Sequence, residues 1–236
     1  MIDWTAIETV MLDMDGTLLD LRFDNDFWHQ HVPARYALLH GLELEQAKSE
    51  VLPRYHAAAG TLDWYCLDYW SENLGLDIPA LKRELAHEIS LRPLVPEFIA
   101  ALRGRGLDIR LVTNAHPDAI AIKMAATGLA PEFDAIVCSH DLGSPKEQRG
   151  FWTEFQSRLP FHPGRSVFLD DSLPVLRSAR NFGLRHLVAI YRPDSSKPEM
   201  DVEDFPAIRC FSEIMPGAAE RDSGAGPADQ EPVPAR

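Results

Sequence analysis

Four short segments carry the acidic, hydroxyl and lysine side chains that phosphate chemistry uses, and each lies at or just beyond an apolar run typical of a buried strand. They are Asp13-Met14-Asp15-Gly16-Thr17, Thr113-Asn114, Ser144-Pro145-Lys146 and Asp170-Asp171-Ser172. Carboxylates that are packed together repel one another, and leaving them without a cation costs several kcal/mol. A divalent cation together with Lys146 would remove that cost. The segments therefore predict a site that binds a divalent cation and an anionic substrate.

The ligand types favour Mg²⁺ as that cation. Mg²⁺ takes hard oxygen ligands, keeps several waters and accepts a phosphate oxygen from the substrate. The set needs no histidine, which disfavours zinc. The three cysteines, Cys66, Cys138 and Cys210, are far apart and form no Cys-x-x-Cys pair, which argues against a disulfide scaffold or a zinc site. Their usage is typical of a reducing cytoplasm, and we expect a cytoplasmic protein.

Alternating strand and helix signals predict the element order that would bring these segments together. The predicted strands are Thr9–Leu12, Ile109–Val112, Ala135–Cys138, Ser166–Leu169 and His186–Ile190, and the predicted helices between the last four are Asp118–Thr127, Gln148–Arg158 and Leu173–Phe182. Strands that alternate with helices indicate βαβ units and a parallel sheet. Ligands of open α/β sheets bind at the carboxyl ends of the strands, so the four segments should meet at one edge.

The first interval is too long for a single crossover. About 100 residues separate Asp13 from Thr113, whereas one βαβ unit needs about 30. Apolar positions recur at helical spacing in 27–39, 44–56, 64–74 and 78–89. We therefore predict a helical bundle inserted after the first strand, at the sheet edge that carries the site, where it would act as a lid.

These patterns predict an α/β protein with a Rossmann-like parallel-sheet core and an inserted helical cap. The predicted divisions are residues 1–20 and 92–215 for the core, 21–91 for the cap and 216–236 for a disordered tail. The tail is rich in proline, glycine, alanine and charge, and Val233 is its one large apolar residue. Such a segment buries too little apolar surface to offset its ordering entropy.

The charge balance excludes some classes of partner. With 23 basic and 36 acidic side chains, the formal net charge is −13. A general nucleic-acid or anionic-membrane binder needs a basic surface, so we expect neither partner. No apolar run approaches a membrane-spanning length, and residues 1–10 do not resemble a signal peptide. A small anionic substrate remains compatible because a local cationic site suffices for it.

The ordered set of four segments resembles the motifs of the haloacid dehalogenase superfamily of phosphatases. Asp13-x-Asp15-Gly16-Thr17 is similar to its first motif, Thr113 to its second, Lys146 to its third and Asp170-Asp171 to its fourth. The resemblance spans residues 9–191 and implies a phosphatase fold with an inserted cap. Dehalogenases lack the second carboxylate of the first motif. Because Asp15 is present, phosphoryl transfer is favoured over dehalogenation.

The resemblance and the residue types together imply a role for each motif residue. Asp13 would attack phosphorus and form an aspartyl phosphate, and Asp15 would protonate the leaving oxygen and then activate water. Thr113 would hydrogen-bond a phosphoryl oxygen, Lys146 would balance charge, and Gly16 would permit a tight turn near the substrate. Mg²⁺ would be held by Asp13, the Asp15 backbone carbonyl and Asp171, with Asp170 beside it. The resemblance favours Asp171 as the direct ligand, but the residue types do not separate it from Asp170.

The cap carries a narrower resemblance. Residues 19–28 and 61–70, together with Thr113-Asn114-Ala115-His116-Pro117, are similar to the GMP/IMP nucleotidases of this superfamily, which release phosphate from purine nucleoside monophosphates. This similarity implies a 5′-nucleotidase. Its candidate substrate contacts are Gly16, Asn25, Trp64, Tyr69, Asn114 and His116.

Each cap candidate also has a structural interpretation. On one continuous helix Trp64 would neighbour Asp68 and Tyr65 would neighbour Tyr69, which suits base stacking. Four aromatic residues in ten equally indicate the core of a small bundle. Asn25 suits a helix cap or hinge as well as a substrate contact. His116 suits an exposed turn as well as a place near the substrate.

Two other functions remain open at this point. The same mechanism on a phosphosugar or phosphoglycolate-like ester, or in a mutase, would use the same core residues. A catalytically silent binding protein on this scaffold is a different class of function. The presence of Asp13, Asp15, Thr113, Lys146 and Asp171 speaks against it. The oligomeric state is not indicated by the sequence.

Overall fold

The computed structural model describes residues 2–217, and within them six strands form one parallel sheet. The strands are β1 (Thr9–Leu12), β2 (Asp108–Thr113), β3 (Ala135–Cys138), β4 (Ser166–Asp170), β5 (His186–Ile190) and β6 (Ala207–Ile208). Their order across the sheet is β3-β2-β1-β4-β5-β6. This confirms the predicted α/β class. Residues 218–236, most of the tail predicted to be disordered, lie outside the described residues.

Helices cover both faces of this sheet. Beyond the segment inserted after β1, the helices are α7 (Val95–Gly104), α8 (Pro117–Thr127), α9 (Ser139–Leu142), α10 (Arg149–Arg158) and α11 (Leu173–Phe182). The six helices that precede them belong to the insertion. Side chains of α7 and α8 share one apolar cluster with Val10 and Leu12. Side chains of α10 and α11 share the other cluster with Met11. Successive β1 residues thus face opposite layers, as strand geometry requires.

The register of the central strands brings the predicted motifs to one edge. Leu12 of β1 lies opposite Leu111 of β2 and Leu169 of β4. The residues that follow these three positions therefore emerge side by side. This register places Asp13 between the end of β2 and the end of β4.

Between β1 and α7 the chain forms six α-helices, as the length of that interval predicts. They are α1 (Arg22–Asp26), α2 (Val32–His40), α3 (Leu44–Ala58), α4 (Leu62–Tyr65), α5 (Leu67–Leu74) and α6 (Ile78–Glu84), with a π-helical turn at Phe27–His31. We call residues 22–84 the lid. Its buried side chains form a third apolar cluster, which Ala119 of α8 joins from the sheet side. The exact domain limits at 21 and 91 stay a prediction.

One expectation for the lid was wrong. Residues 64–74 do not form one helix, because the chain is extended at Cys66 (φ −83°, ψ 113°) and separates α4 from α5. The Cys66 sulfur accepts a hydrogen bond from the Tyr69 amide at 3.4 Å, which caps α5. The Trp70 indole donates to the Trp64 carbonyl at 2.9 Å. These local bonds compensate for the broken helix, so the i,i+4 pairs expected from Trp64 and Tyr65 do not form.

The two chain segments that join the lid to the sheet run side by side. Leu19 and Leu91 form an antiparallel bridge, and the Arg92 amide donates to the Leu18 carbonyl at 2.9 Å. The buried Arg92 guanidinium donates to the backbone carbonyls of Arg192, Pro193 and Arg209. The entry to the lid is therefore braced by the loop that follows β5. None of the helices between residues 2 and 217 has the length and apolar character needed to cross a bilayer.

Candidate active site

The centre of the site is a buried lysine held between two carboxylates. The Lys146 ammonium donates to Asp13 Oδ1 at 2.5 Å, to Asp170 Oδ2 at 2.7 Å and to the Val112 carbonyl at 3.0 Å. Lys146 is only 2% exposed. Three residues separated by up to 157 positions thus meet at one atom, at the sheet edge where the sequence predicted them.

Asp171 adds a third carboxylate to this cluster, and no second cationic side chain accompanies it among the described residues. One carboxylate oxygen from each of Asp13, Asp170 and Asp171 lies within 4.8 Å of the others. Among the described residues, none donates a hydrogen bond to the Asp171 side chain. Burial, and the neighbouring charges of Asp13 and Asp170, raise the pKa of Asp171 well above its ordinary value. Three carboxylates against one lysine carry a formal charge of −2, which a divalent cation would neutralise.

The two adjacent carboxylates, Asp170 and Asp171, differ in how many of their oxygens are free to bind a metal. Asp170 Oδ2 accepts from Lys146, and its Oδ1 accepts from the Ser172 amide at 2.8 Å. Asp171 has both oxygens uncommitted among the described residues. An oxygen-only set with a net charge of −2 fits Mg²⁺. This geometry supports Asp171 as the direct ligand and Asp170 as the residue that orients Lys146.

Gly16 is where the backbone must come closest to that carboxylate. Its φ is +85°, and a Cβ at this position would lie 2.4 Å from Asp171 Oδ2. A side chain here would displace Asp171 and would also strain the backbone. Gly16 does not line either cavity among the described residues, so its role is to admit Asp171 rather than to contact substrate.

A cavity of 210 Å³ opens directly onto this cluster. Its lining includes all six of the predicted catalytic and metal-binding residues and extends to the start of α11. The lining residues are Asp13, Asp15, Leu21, Tyr65, Thr113, Asn114, Ala115, Lys146, Asp170, Asp171, Ser172 and Val175. Thr113 is buried and its oxygen accepts from the Ala115 amide at 3.1 Å, which leaves its O–H free to donate. The cavity therefore offers an anion beside Asp13 the positive charge of Lys146, whose three N–H groups are already engaged, and a free hydroxyl donor.

Asp15 belongs to a second buried ionic network that the sequence analysis missed. The Lys123 ammonium donates to Asp15 Oδ1 at 2.6 Å and to Asp24 Oδ2 at 2.7 Å. The Lys82 ammonium donates to Asp24 Oδ1 at 2.7 Å. Lys82 and Asp24 belong to the lid and Lys123 belongs to α8, so this network joins the lid to the sheet. Two carboxylates meet two lysines here, and the formal charge is zero.

This network shapes the ionisation of its carboxylates. Burial and the nearby Asp24 charge raise the pKa of Asp15 to about 6. Burial also works against the charge of Asp24, but Lys123 and Lys82 outweigh it and lower the pKa of Asp24 to about 2. Asp15 can therefore hold a proton near neutral pH while Asp24 stays ionised. A sequence signal did exist, since Lys123 stands between Ile122 and Met124 in an apolar helix, but its partners are distant in sequence.

A larger cavity of 290 Å³ adjoins the first and lies between the lid and the sheet. The two share Asp15, Leu21, Tyr65 and Ala115 in their linings. The rest of its lining includes four tryptophan or tyrosine residues and both lysines of the second network. These residues are Asp24, Asn25, Trp28, His29, Tyr55, Trp64, Leu67, Trp70, Lys82, His116, Ala119 and Lys123.

The predicted substrate contacts divide between this cavity and other places. Trp64, Asn25 and His116 line it. The Asn25 amide also donates to Asp194 Oδ2 at 2.7 Å, and His116 Nδ1 caps α8 by accepting from the Asp118 amide. Tyr69 lies outside the lining and packs edge-on against Trp70, with ring centroids 4.9 Å apart. The structure thus gives Tyr69 a packing role and leaves Trp64 available to a ligand.

Asn114 lines the smaller cavity, but its side chain is already committed. Its oxygen accepts from the Lys146 amide at 2.8 Å, and its nitrogen donates to Glu147 Oε2 at 2.9 Å. The Tyr65 hydroxyl of the lid donates to Glu147 Oε1 at 2.5 Å. A chain of hydrogen bonds therefore runs from the lid through Glu147 and Asn114 to the backbone of Lys146. Asn114 positions the catalytic lysine, and Tyr65 ties the lid to it.

Comparison with known proteins agrees with this geometry. Residues 7–183 match the family model described as haloacid dehalogenase-like hydrolase. The GMP/IMP nucleotidase YrfG of Escherichia coli (strain K12) is 39% identical over 215 residues, covering 91% of this chain and 97% of the relative. The phosphoserine phosphatase of Thermus thermophilus is 31% identical over 139 residues, covering 56% of this chain and 54% of the relative. The protein belongs to the haloacid dehalogenase-like hydrolases.

A solved structure extends the likeness to the whole fold. The HAD phosphatase from Thermococcus onnurineus superposes with a TM-score of 0.74 at 23% identity, covering 88% of this chain and 96% of that one. At this identity the match speaks for the fold alone. It includes the lid as well as the sheet, since its coverage exceeds the length of the core.

We predict that Asp171→Asn removes the stabilisation that Mg²⁺ gives to the protein. Mg²⁺ at about 100 times its Kd adds about 2.7 kcal/mol to the unfolding free energy, which should raise the Tm of the wild type by several degrees. Without Mg²⁺ the variant should be no less stable than the wild type, because one repelling carboxylate has gone. Thermal unfolding with and without MgCl₂ measures both effects. Asp141→Asn, which changes an exposed carboxylate, should keep the full shift. A full shift in Asp171→Asn would contradict the assignment.

We also predict that Tyr65→Phe lowers kcat/KM by about tenfold, because it removes a hydrogen bond to a charged acceptor that holds the lid against the Lys146 loop. Steady-state kinetics with p-nitrophenyl phosphate measures this. The matched control is Tyr36→Phe, which removes a tyrosine-to-glutamate bond inside the lid, from Tyr36 to Glu50 at 3.1 Å. An equal loss in both variants would mean that the Tyr65 bond has no special role.

Proposed function

We propose that this protein is a Mg²⁺-dependent phosphomonoesterase that works through an aspartyl phosphate, and that it is a 5′-nucleotidase for purine nucleoside monophosphates such as GMP and IMP. The observation that carries the proposal is the position of Asp13. It is held by Lys146 at the floor of a small polar cavity that opens into an aromatic one. A phosphate would occupy the first cavity and its leaving group the second.

The chemistry would run in two displacements at phosphorus. In the first, an Asp13 oxygen attacks phosphorus, the bond to the ester oxygen breaks, and the Asp15 proton goes to the departing oxygen. In the second, a water attacks the phosphoryl group, its proton goes to Asp15, and the Asp13–phosphorus bond breaks. Asp15 lines both cavities, which suits a group that serves the leaving group and then the water.

The remaining residues of the small cavity would stabilise charge. Lys146 contacts the nucleophile already and would also face a phosphoryl oxygen, and the Thr113 hydroxyl would donate to another. Mg²⁺, held by Asp13, Asp171 and the Asp15 backbone carbonyl, would offset the negative charge of the carboxylates and the phosphoryl group. Asp170 would keep Lys146 in place. A phosphate dianion beside three carboxylates would need the positive charge of both Lys146 and Mg²⁺. All of these residues would therefore be required together.

The aromatic cavity supports a base-bearing leaving group. Trp28 and Trp64 present partly exposed indole surfaces on which a flat heterocycle would stack. A phosphosugar would call for hydroxyl-binding side chains in the same place, so this lining weighs against that alternative and against a sugar-phosphate mutase. The likeness to a GMP/IMP nucleotidase covers 91% of the chain and therefore includes the lid.

A silent binding protein on this scaffold is the remaining alternative. It is disfavoured because the nucleophile, its lysine, the acid and the metal cluster are all in place. The three cysteines are unpaired, which supports our proposal that the protein acts in the cytoplasm. A small phosphate ester is the one partner that this function requires.

We predict that Asp13→Asn lowers phosphate release at least about a thousandfold, because it removes the nucleophile. Thermal unfolding should show an intact fold. The assay is phosphate release with Mg²⁺ from GMP, IMP, AMP, UMP, phosphosugars and phosphoglycolate. Release chiefly from GMP and IMP, lost in the variant, would support both parts of the proposal. Release chiefly from a small phosphate would refute the substrate, and a fully active variant would refute the mechanism.

We further predict that Trp64→Ala raises KM for GMP more than for p-nitrophenyl phosphate, by about tenfold in the ratio, because the larger base loses more stacking surface. Steady-state kinetics on both substrates gives this ratio. Tyr69→Ala provides the comparison, since Tyr69 lies on α5 near Trp70 but outside the cavity lining. It should change both substrates by the same factor. A constant ratio in Trp64→Ala would make that residue structural.

A further inference from the structure

The aromatic cavity is lined by a tyrosine whose buried hydroxyl has no partner among the described residues. Tyr55 of α3 is 3% exposed and lines the cavity. Its hydroxyl is buried, and no described residue donates to it or accepts from it. A buried polar group without a partner costs about 1–3 kcal/mol, so such groups point to a ligand or a water that completes them.

Several other polar side chains of this lining are already engaged. Asp24 binds both Lys82 and Lys123, and Asn25 binds Asp194. The Tyr65 hydroxyl binds Glu147, which leaves the Tyr55 hydroxyl as the uncommitted one among these. A ligand that reaches the buried end of the cavity would therefore have the Tyr55 hydroxyl available as a hydrogen-bond partner.

Tyr55 is also placed far along the path that a phosphate ester would take. The two cavities meet at Asp15, Leu21, Tyr65 and Ala115, and Tyr55 lines only the larger one. Three indoles surround its ring edge-on, with centroids 5.5 Å away for Trp28, 6.1 Å for Trp64 and 4.8 Å for Trp70. These contacts fix the tyrosine ring and leave little freedom for the hydroxyl to turn elsewhere.

We propose that the Tyr55 hydroxyl determines base specificity by hydrogen-bonding the 6-oxo edge of a purine whose phosphate lies at Asp13. This inference rests on the proposed function and names the residue that would read the base. A 6-oxopurine offers a carbonyl acceptor and an adjacent N–H donor, and a neutral phenol can pair with either. Burial raises the pKa of Tyr55, so the hydroxyl stays protonated and able to donate.

The test compares two substrates in two variants. The substrates are IMP and the 5′-monophosphate of the unsubstituted purine ribonucleoside, which lacks both the 6-oxygen and the N1 proton. We expect the wild type to prefer IMP, and Tyr55→Phe to reduce the ratio of the two kcat/KM values by about five- to tenfold. Tyr36→Phe, which removes a lid hydroxyl bonded to Glu50 and outside the cavity lining, should leave the ratio as in the wild type.

Stability provides a second measurement on the same variant. Because the Tyr55 hydroxyl has no partner among residues 2–217, Tyr55→Phe should unfold at the same temperature as the wild type or higher. An unchanged substrate ratio in Tyr55→Phe, or a fall in Tm with no change in ratio, would overturn the inference and give the hydroxyl a structural role. A wild type that releases no phosphate from either nucleotide would refute the proposed function instead, so the two failures are distinguishable.

Discussion

The contact between the Lys146 ammonium and the carboxylates of Asp13 and Asp170 is the interaction on which the rest of the site depends. A buried lysine without a counter-ion would be strongly destabilising, and so would two buried carboxylates. The lysine and the two carboxylates therefore require one another, although Asp13 is far from Lys146 and Asp170 in the sequence. The requirement fixes the loop after β3 against the ends of β1 and β4, and Asn114 and Glu147 hold that loop from behind. The small cavity is the space enclosed by these residues at the carboxyl ends of the strands.

The position of the lid follows from the same topology. The chain leaves the sheet at Leu19 and returns at Leu91, and the bridge between these residues lies directly beyond the nucleophile. Everything inserted there must sit over the carboxyl ends of the strands. The Arg92 guanidinium stabilises these two adjacent segments by donating hydrogen bonds to three backbone carbonyls. The lid thus closes the leaving-group side of the site, while the sheet supplies the phosphate side.

The sequence predicted those features that depend on local pattern. The apolar runs predicted β1, β3 and β5 to the residue, and the strand ends predicted the meeting of Asp13, Thr113, Lys146 and Asp171. The two-residue strand β6 was missed, because Ala207–Ile208 is too short to show a period. The break at Cys66 was missed because it is stabilised by a sulfur cap and an indole bond rather than by proline or glycine. The pairing of Lys82 and Lys123 with Asp24 was missed because no local pattern encodes a contact across 58 or 99 positions.

The two ionic clusters of the site differ in their charge balance, and this difference separates their tasks. Asp13, Asp170 and Asp171 outnumber Lys146 by a formal charge of 2, so that cluster lacks the charge of one divalent cation. Asp15 and Asp24 are matched by Lys82 and Lys123, so that cluster is complete within the protein. In the proposed mechanism Asp15 is the acid, and its charge environment comes chiefly from Asp24 of the lid and Lys123 of α8. A substrate whose leaving group fits beneath the lid would not disrupt the ion pairs between Asp15, Asp24 and the two lysines. Under the proposed mechanism, selection of the leaving group and delivery of its proton would both depend on this buried set of ion pairs.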